Sequence, residues 1–261
     1  MKMMTGRTFP RAMGMDFAGT VLSTGAGVTR FKQGDDVFGL ARLKESGAFG
    51  EALITNEDFV ALKPPEVSFE QAACLPTGGL TAWIGLVNKV GLKRGQSVFI
   101  NGCTGTVGQA AVQIATMLGA QVTGSCRSSM QPLAKQMGVA RILDYRTMDL
   151  AQFERSFDVV FDTSGSMPLG SALKLLVPHG AFIDIHPSPA KFLRSVFDKR
   201  LKVVICAATT EILGALGNAA QAGKLSIAIG KTVRLEESIE LITALEGGSK
   251  LGGKGLIAVK P

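Results

Sequence analysis

The chain has one tryptophan and one tyrosine among 261 residues, two histidines, and four cysteines that form no CxxC pair. The scarcity of aromatic rings qualifies the net charge of +7, because the lysines and arginines are scattered and lack the aromatic interleaving of a nucleic-acid surface. No nucleic-acid partner is expected. Cysteines at 74, 103, 126 and 206 have neither metal nor disulfide-framework spacing and read as reduced thiols. No stretch reaches the roughly 18 uninterrupted apolar residues of a membrane span, since Lys202 and Glu211 interrupt the richest candidate. The opening MKMMTGRTFPRAMG has basic residues but no apolar core and is not read as a secretory signal. These absences lead to the expectation of a cytoplasmic protein with no membrane partner.

What is present is 46% hydrophobic residues, enough for one large domain or two ordinary ones. Residues 1 to about 76 read as short strands and turns: DFAGTVLSTG, GDDVFG and FGEALIT, the last ending before Pro64-Pro65. SFEQAACL then opens a helix on a Ser68 cap, Pro76 breaks it, and LTAWIGLVNKVGL carries helical spacing. From Gln96 to about Ala207 the runs SVFIN, AQVTGSC, ARILDY, DVVFDTS, AFIDIH and KVVICA recur with helices between them. Near-continuous apolar strands of this kind imply a parallel sheet covered on both faces. ILGALGNAAQAGKLS reads as a helix closed by Gly223, followed by a short strand, a helix in EESIELITALEGG and a last strand GLIAVKP. That last strand is expected to join the β-rich N-terminal part. The fold class is therefore α/β, a doubly wound Rossmann sheet of six parallel strands over residues 77–212, with a partial β-rich domain from residues 1–76 and 213–261.

The most informative stretch is VFINGCTGTVGQAAVQIATMLGAQVTG, from Val98 to Gly124. It combines a buried strand, a turn with glycines at 102, 105 and 108, a helix expected from Gln109, and a second buried strand. This is the layout of a dinucleotide-binding unit, in which the turn approaches a pyrophosphate at the positive end of a helix. Thr104, Gly105, Thr106, Val107 and Gly108 are its candidate phosphate contacts. After the second strand, where an NAD-binding unit carries an acidic residue, the chain reads Ser125-Cys126-Arg127-Ser128-Ser129. A guanidinium and hydroxyls suit a 2′-phosphate, so NADPH is the expected cofactor, through Arg127 and Ser128. The alternative for Arg127 is a solvated loop cation. Tyr145, after the third strand, is placed at the same phosphate or the adenine, or else is a partly buried ring. Thr163, between Asp162 and Ser164, ends the fourth strand at the edge where open α/β sheets bind ligands. His179 is expected in an exposed Pro-His-Gly turn. His186 follows the strand AFIDI and is either a cofactor contact and acid or a solvent-facing side chain.

PRAMGMDFAGTVLSTGAGVTRFKQGDDVFG, FGEALIT, SFEQAACLPTGGLTAW, NGCTGTVGQAAVQIATMLGAQVTG and the pair Asp144-Tyr145 occur in an order that resembles the medium-chain dehydrogenase/reductase superfamily, in its zinc-independent quinone oxidoreductase-like branch. The resemblance implies that the β-rich part is a GroES-like substrate domain. It also implies that Met15, Asp16 and Thr77 stand at the positions of catalytic zinc ligands; this donor set does not make a zinc site, so no metal is expected. Only a short loop joins Phe38 to Phe49, so a structural metal lobe is not expected either. The implied activity is NADPH-dependent hydride delivery to a quinone or an α,β-unsaturated carbonyl, with enoyl reduction of a carrier-bound or fatty chain, or cofactor binding without turnover, as alternatives. By the same resemblance Thr81 lies beside the nicotinamide, Ile185 and His186 lie near its carboxamide, and Lys254 approaches the cofactor. A homodimer through KVVICA is implied as well. Relatives carry several dozen residues before the position matching Met1, so the substrate domain is expected to lack its opening strands.

Overall fold

The computed structural model describes residues 12–42 and 46–259; the reading of the first eleven residues lies outside them. The chain packs as two compact units, one of residues 1–80 and 208–261, the other of residues 81–207.

The first unit begins with β1 (Asp16–Thr20), β2 (Asp36–Leu40) and β3 (Val60–Leu62), an antiparallel sheet in the order β1-β2-β3. The apolar residues of β2 supply its buried side, with Phe38 fully inside. FGEALIT, expected as a strand, has no strand pairing; the third strand is the later run VAL. Helix α1 (Phe69–Cys74) starts at Ser68, whose hydroxyl accepts from the Gln71 N–H as an N-cap should. Pro76 does not interrupt helical structure. It opens α2 (Pro76–Trp83), where its missing N–H is no loss, and the helix runs on as a π-helical segment, Ile84–Lys89.

The second unit is built on β4 (Ser97–Asn101), β5 (Gln121–Cys126), β6 (Arg141–Asp144), β7 (Phe157–Asp162), β8 (Leu176–Asp184) and β9 (Leu201–Val203). All five pairings are parallel, in the order β6-β5-β4-β7-β8-β9, so the direction of winding reverses between β4 and β7. Such a reversal opens the ligand-binding end of a doubly wound sheet. Helices α3 (Thr106–Met117), α4 (Gln131–Gln136), α5 (Leu169–Leu175) and α6 (Pro189–Phe197) connect the strands. Fully buried Phe99, Phe161 and Phe182 fill the sheet, and the Phe99 and Phe157 rings stack at 5.4 Å between centroids. His179 departs from the turn expected for it. It lies within β8, exposed, in a bulge between the pairings Phe157↔Leu176 and Val159↔Ala181.

The remainder of the first unit is α7 (Thr210–Gln221), β10 (Ile229–Arg234), α8 (Ser238–Glu246) and β11 (Lys254–Ala258). Gly223 follows α7 with φ of 66°, a left-handed C-terminal stop. The last strand pairs in parallel with β10 as a separate two-stranded sheet and does not join β1–β3, contrary to expectation. The α8 crossover makes β10 the local partner, at little loop-closure cost.

Candidate functional site

The glycine turn connects β4 to α3, and the helix begins at Thr106, three residues before the expected Gln109. Gly102 has φ of 82°, and at Gly108 a Cβ would stand 2.1 Å from the Gly102 carbonyl oxygen. Those two positions require glycine because the helix start rests on the backbone of the turn. The buried Gln109 carboxamide donates to the Thr104 carbonyl at 2.9 Å, a clamp that motif reading missed. Among the described residues, nothing accepts from the N–H groups of Thr106, Val107 and Gly108. At the N-cap, an added Cβ on Gly105 would meet only the Gly102 oxygen, at 3.5 Å. Three unclaimed amides at a helix start, beside an open backbone, fit a phosphate.

Behind the turn, four strands carry polar residues at or next to their last position that are mutual neighbours: Ser125 pairs with Asn101, Asn101 with Asp162, and Asp162 with Asp184. All four are buried. Asn101 Nδ2 donates to Asp162 Oδ1 at 2.9 Å, and Ser125 Oγ donates to Asn101 Oδ1 at 2.7 Å. Thr163 is stitched to the same place, its Oγ1 donating to the Asn101 carbonyl at 2.7 Å and to that of Gly102 at 3.1 Å. Asp184 pairs with Lys191 at 2.6 Å and accepts from the His186 N–H at 2.8 Å. Of this row only Asp162 stood out in the sequence. The signal was nevertheless there, as one polar residue closing each apolar run.

Arg127 and Ser128 follow β5. The Arg127 side chain is half-buried and has no partner among the described residues, while the Ser128 hydroxyl donates to Asp144 at the end of β6. The Ser128 hydroxyl, followed by the Arg146 N–H, holds the Asp144 carboxyl below its usual range. A carboxylate absent from the local sequence is thus supplied by the neighbouring strand. Tyr145 is 47% exposed, with the Arg146 guanidinium 5.8 Å from its ring centre. Cys103 in the turn and Cys126 before Arg127 are buried and hydrogen-bonded to each other, and burial pushes both thiols up.

Ile185 and His186 follow β8; the exposed His186 ring lies over Gly165, where a Cβ would come within 2.5 Å of it. Its imidazole has no carboxylate partner among the described residues. Thr81 is buried, 5% exposed, and is the first residue of the second unit. Lys254 belongs to the first unit. Its ammonium donates to Asp16 and to the carbonyls of Ala73 (3.2 Å) and Cys74 (3.4 Å), the last turn of α1. Asp16 also accepts from both the N–H and hydroxyl of Thr77. Three acceptors thus surround the ammonium. Among the described residues no three His, Cys, Asp or Glu side chains gather as a metal site would require.

Residues 1–65 match the family described as alcohol dehydrogenase GroES-like domain, and residues 106–186 match the one described as zinc-binding dehydrogenase. The chain is 31% identical to the chloroplastic quinone-oxidoreductase QR1 of Triphysaria versicolor, over 90% of this chain and 76% of that protein. Against the chloroplast envelope quinone oxidoreductase homolog of Arabidopsis thaliana it is 32% identical, over 70% of this chain, and spans only 58% of the relative. The quinone oxidoreductase structure from Coxiella burnetii superposes with a TM-score of 0.86 at 28% identity, over 97% of this chain and 80% of that one. A structure of CurK enoyl reductase superposes with a TM-score of 0.81 at 25% identity, over 96% of this chain and 80% of that one. No helix among the described residues is long and apolar enough to cross a membrane. The order of the strands and these relatives agree: the chain belongs to the medium-chain dehydrogenase/reductase superfamily, an oxidoreductase family with a nicotinamide-cofactor fold, and its relatives include quinone oxidoreductases.

Proposed function

We propose that the protein is a zinc-independent, NADPH-dependent reductase of quinones or α,β-unsaturated carbonyls. The observation that carries this reading is the set of unclaimed amides at Thr106, Val107 and Gly108 with the unpaired Arg127 guanidinium after the adjacent strand. The amides and the helix start hold the pyrophosphate, and Arg127 takes the 2′-phosphate through charge-assisted bonds. Asp144 tempers that preference: its carboxylate engages Ser128, and a second negative charge there disfavours a dianion. When bound, the reduced nicotinamide supplies hydride. Thr81 packs against its ring, Thr163 and Ile185 line its path along the strand ends, and Tyr145 flanks the adenosine end.

Zinc independence is supported by the chemistry at Met15, Asp16 and Thr77. A thioether and a hydroxyl are poor zinc ligands, and the lone carboxylate already holds a cation, Lys254. An acceptor that is electrophilic without a Lewis acid follows from that, which favours quinones and enones over simple alcohols and ketones. The residues 77–212 are assigned to cofactor binding and the GroES-like part to the substrate. Four cysteines outside any disulfide suit a reducing, cytoplasmic setting, and the open edge of β9 is the proposed seam of a homodimer. Enoyl reduction is the second reading, favoured by the superposition on an enoyl reductase.

The test is NADPH oxidation over a panel of small quinones and enones, with 2-enoyl thioesters as a separate arm. Turnover of the small acceptors supports the reading; turnover of the thioesters alone moves it to enoyl reduction. Tight NADPH binding without turnover of either would leave a binding protein.

A further inference from the structure

We infer that Asn101 and Ser125, backed by the buried carboxylate of Asp162, are positioning residues that hold the phosphate turn in its binding shape. The inference rests on the dinucleotide reading above. Three hydrogen bonds run in one direction: the Gly102 N–H donates to Ser125 Oγ at 3.1 Å, that hydroxyl to Asn101 Oδ1 at 2.7 Å, and the Asn101 amide to Asp162 Oδ1 at 2.9 Å. A chain whose donors all point toward one anion is polarised along its length, so each bond strengthens the next.

The carboxylate at its end is fixed without a cation. Asp162 accepts from the N–H groups of Ser164 (3.1 Å), Gly165 (3.0 Å) and Met167 (2.9 Å) and from the Ser164 hydroxyl (2.9 Å). Among the described residues no lysine or arginine pairs with it. Gly102 is gripped at both ends of its residue. Its N–H goes to Ser125, and its carbonyl accepts from the Gly105 N–H (3.1 Å) and Thr163 Oγ1 (3.1 Å). The consequence is a division of labour along the turn. The Gly102 amide is withdrawn from ligand binding and fixes the bend, so that the amides of residues 106–108 converge. Because Asn101, Ser125 and Asp162 are buried and satisfied by each other, by the Ser164 and Ser166 hydroxyls and by the N–H groups of the following turn, none of them needs to touch the cofactor.

A matched control lies at the opposite end of the same sheet, where Asp158 accepts from the Ser97 N–H and hydroxyl at 2.8 Å each. Ser125→Ala, Asn101→Asp and Asp158→Asn should be compared with the parent chain by NADPH titration and by amide exchange over residues 102–108, at a temperature where circular dichroism shows each folded. Ser125→Ala should weaken NADPH about tenfold, the loss of one such bond, and speed exchange of the Gly102 amide. Asn101→Asp sets a second carboxylate against Asp162. Its loss should exceed tenfold, because a carboxylate in place of the amide removes the donor and sets like charges side by side. Asp158→Asn should leave NADPH affinity unchanged. Equal affinity in all variants, or an equal loss in Asp158→Asn, overturns the inference. If the parent chain binds no dinucleotide, the cofactor reading falls, and unchanged amide exchange in Ser125→Ala then overturns the positioning role separately.

Discussion

Asp16 and Asp162 each stand at the end of a strand, are largely buried, and accept several hydrogen bonds, yet they are held by opposite means. In the first unit Asp16 takes a cation, the Lys254 ammonium, which also caps the last carbonyls of α1. In the second unit Asp162 takes only neutral donors, most of them backbone N–H groups of the turn that follows it. An ion pair closes a site on itself, because the charges cancel and the donors are used up. A carboxylate satisfied by dipoles orients every dipole around it, which suits a place where a loop must be held in one shape. Asp16 is thus closed by an ion pair, while Asp162 stands at the centre of a network of neutral donors.

Removing the cation should have the larger effect. Lys254→Met leaves Asp16 without its partner and two helix carbonyls without a donor, and should cost about 2–4 kcal/mol in urea unfolding; a loss near zero would mean that the pair is merely superficial. Asp162→Ala strands the donors of Asn101, Ser164, Gly165 and Met167 and should cost about 2–3 kcal/mol, with NADPH binding lost out of proportion to stability. Parallel losses of both would make Asp162 an ordinary core residue. The smallest expected effect concerns acid. Burial pushes the Asp158 carboxyl up, but the bonds from Ser97 and Gln96 outweigh it and hold the group below its usual range. A depressed carboxyl stabilises above its unfolded value of about 4 and loses that contribution as pH falls through the folded value. Asp158→Asn should therefore lower the melting temperature slightly at neutral pH, where the parent carries this contribution, and flatten the acid limb below about pH 4, where the parent loses it.

Much of the second unit could be read from the sequence because parallel strands buried on both faces leave near-continuous apolar runs, and because Gly102 and Gly108 of the turn answer to backbone constraints. The helix start at Thr106 was misplaced because Thr106 and Val107 carry no helix-start signal of their own; the cap is a bare glycine without a side-chain bond. FGEALIT misled through its β-branched and apolar content, whereas strand pairing depends on a partner edge that no local pattern encodes. The same limit hid the pairing of β11 with β10. At the site, the turn and Arg127 were legible as motifs. Asn101, Ser125 and Asp184 were not, since their meaning lies in cross-strand register, and Asp144 reaches Ser128 only because β6 lies beside β5.

The central claim is that the second unit holds a phosphorylated dinucleotide with the amides of residues 106–108 and the Arg127 side chain. Its most direct test is paired titration of NADPH and NADH against the parent chain and Arg127→Asp. The account predicts tighter NADPH than NADH binding in the parent, and in Arg127→Asp a loss of NADPH affinity of at least about tenfold, on the order of one charge-assisted bond, with NADH little changed. Equal losses for both cofactors, or no preference in the parent chain, would contradict it.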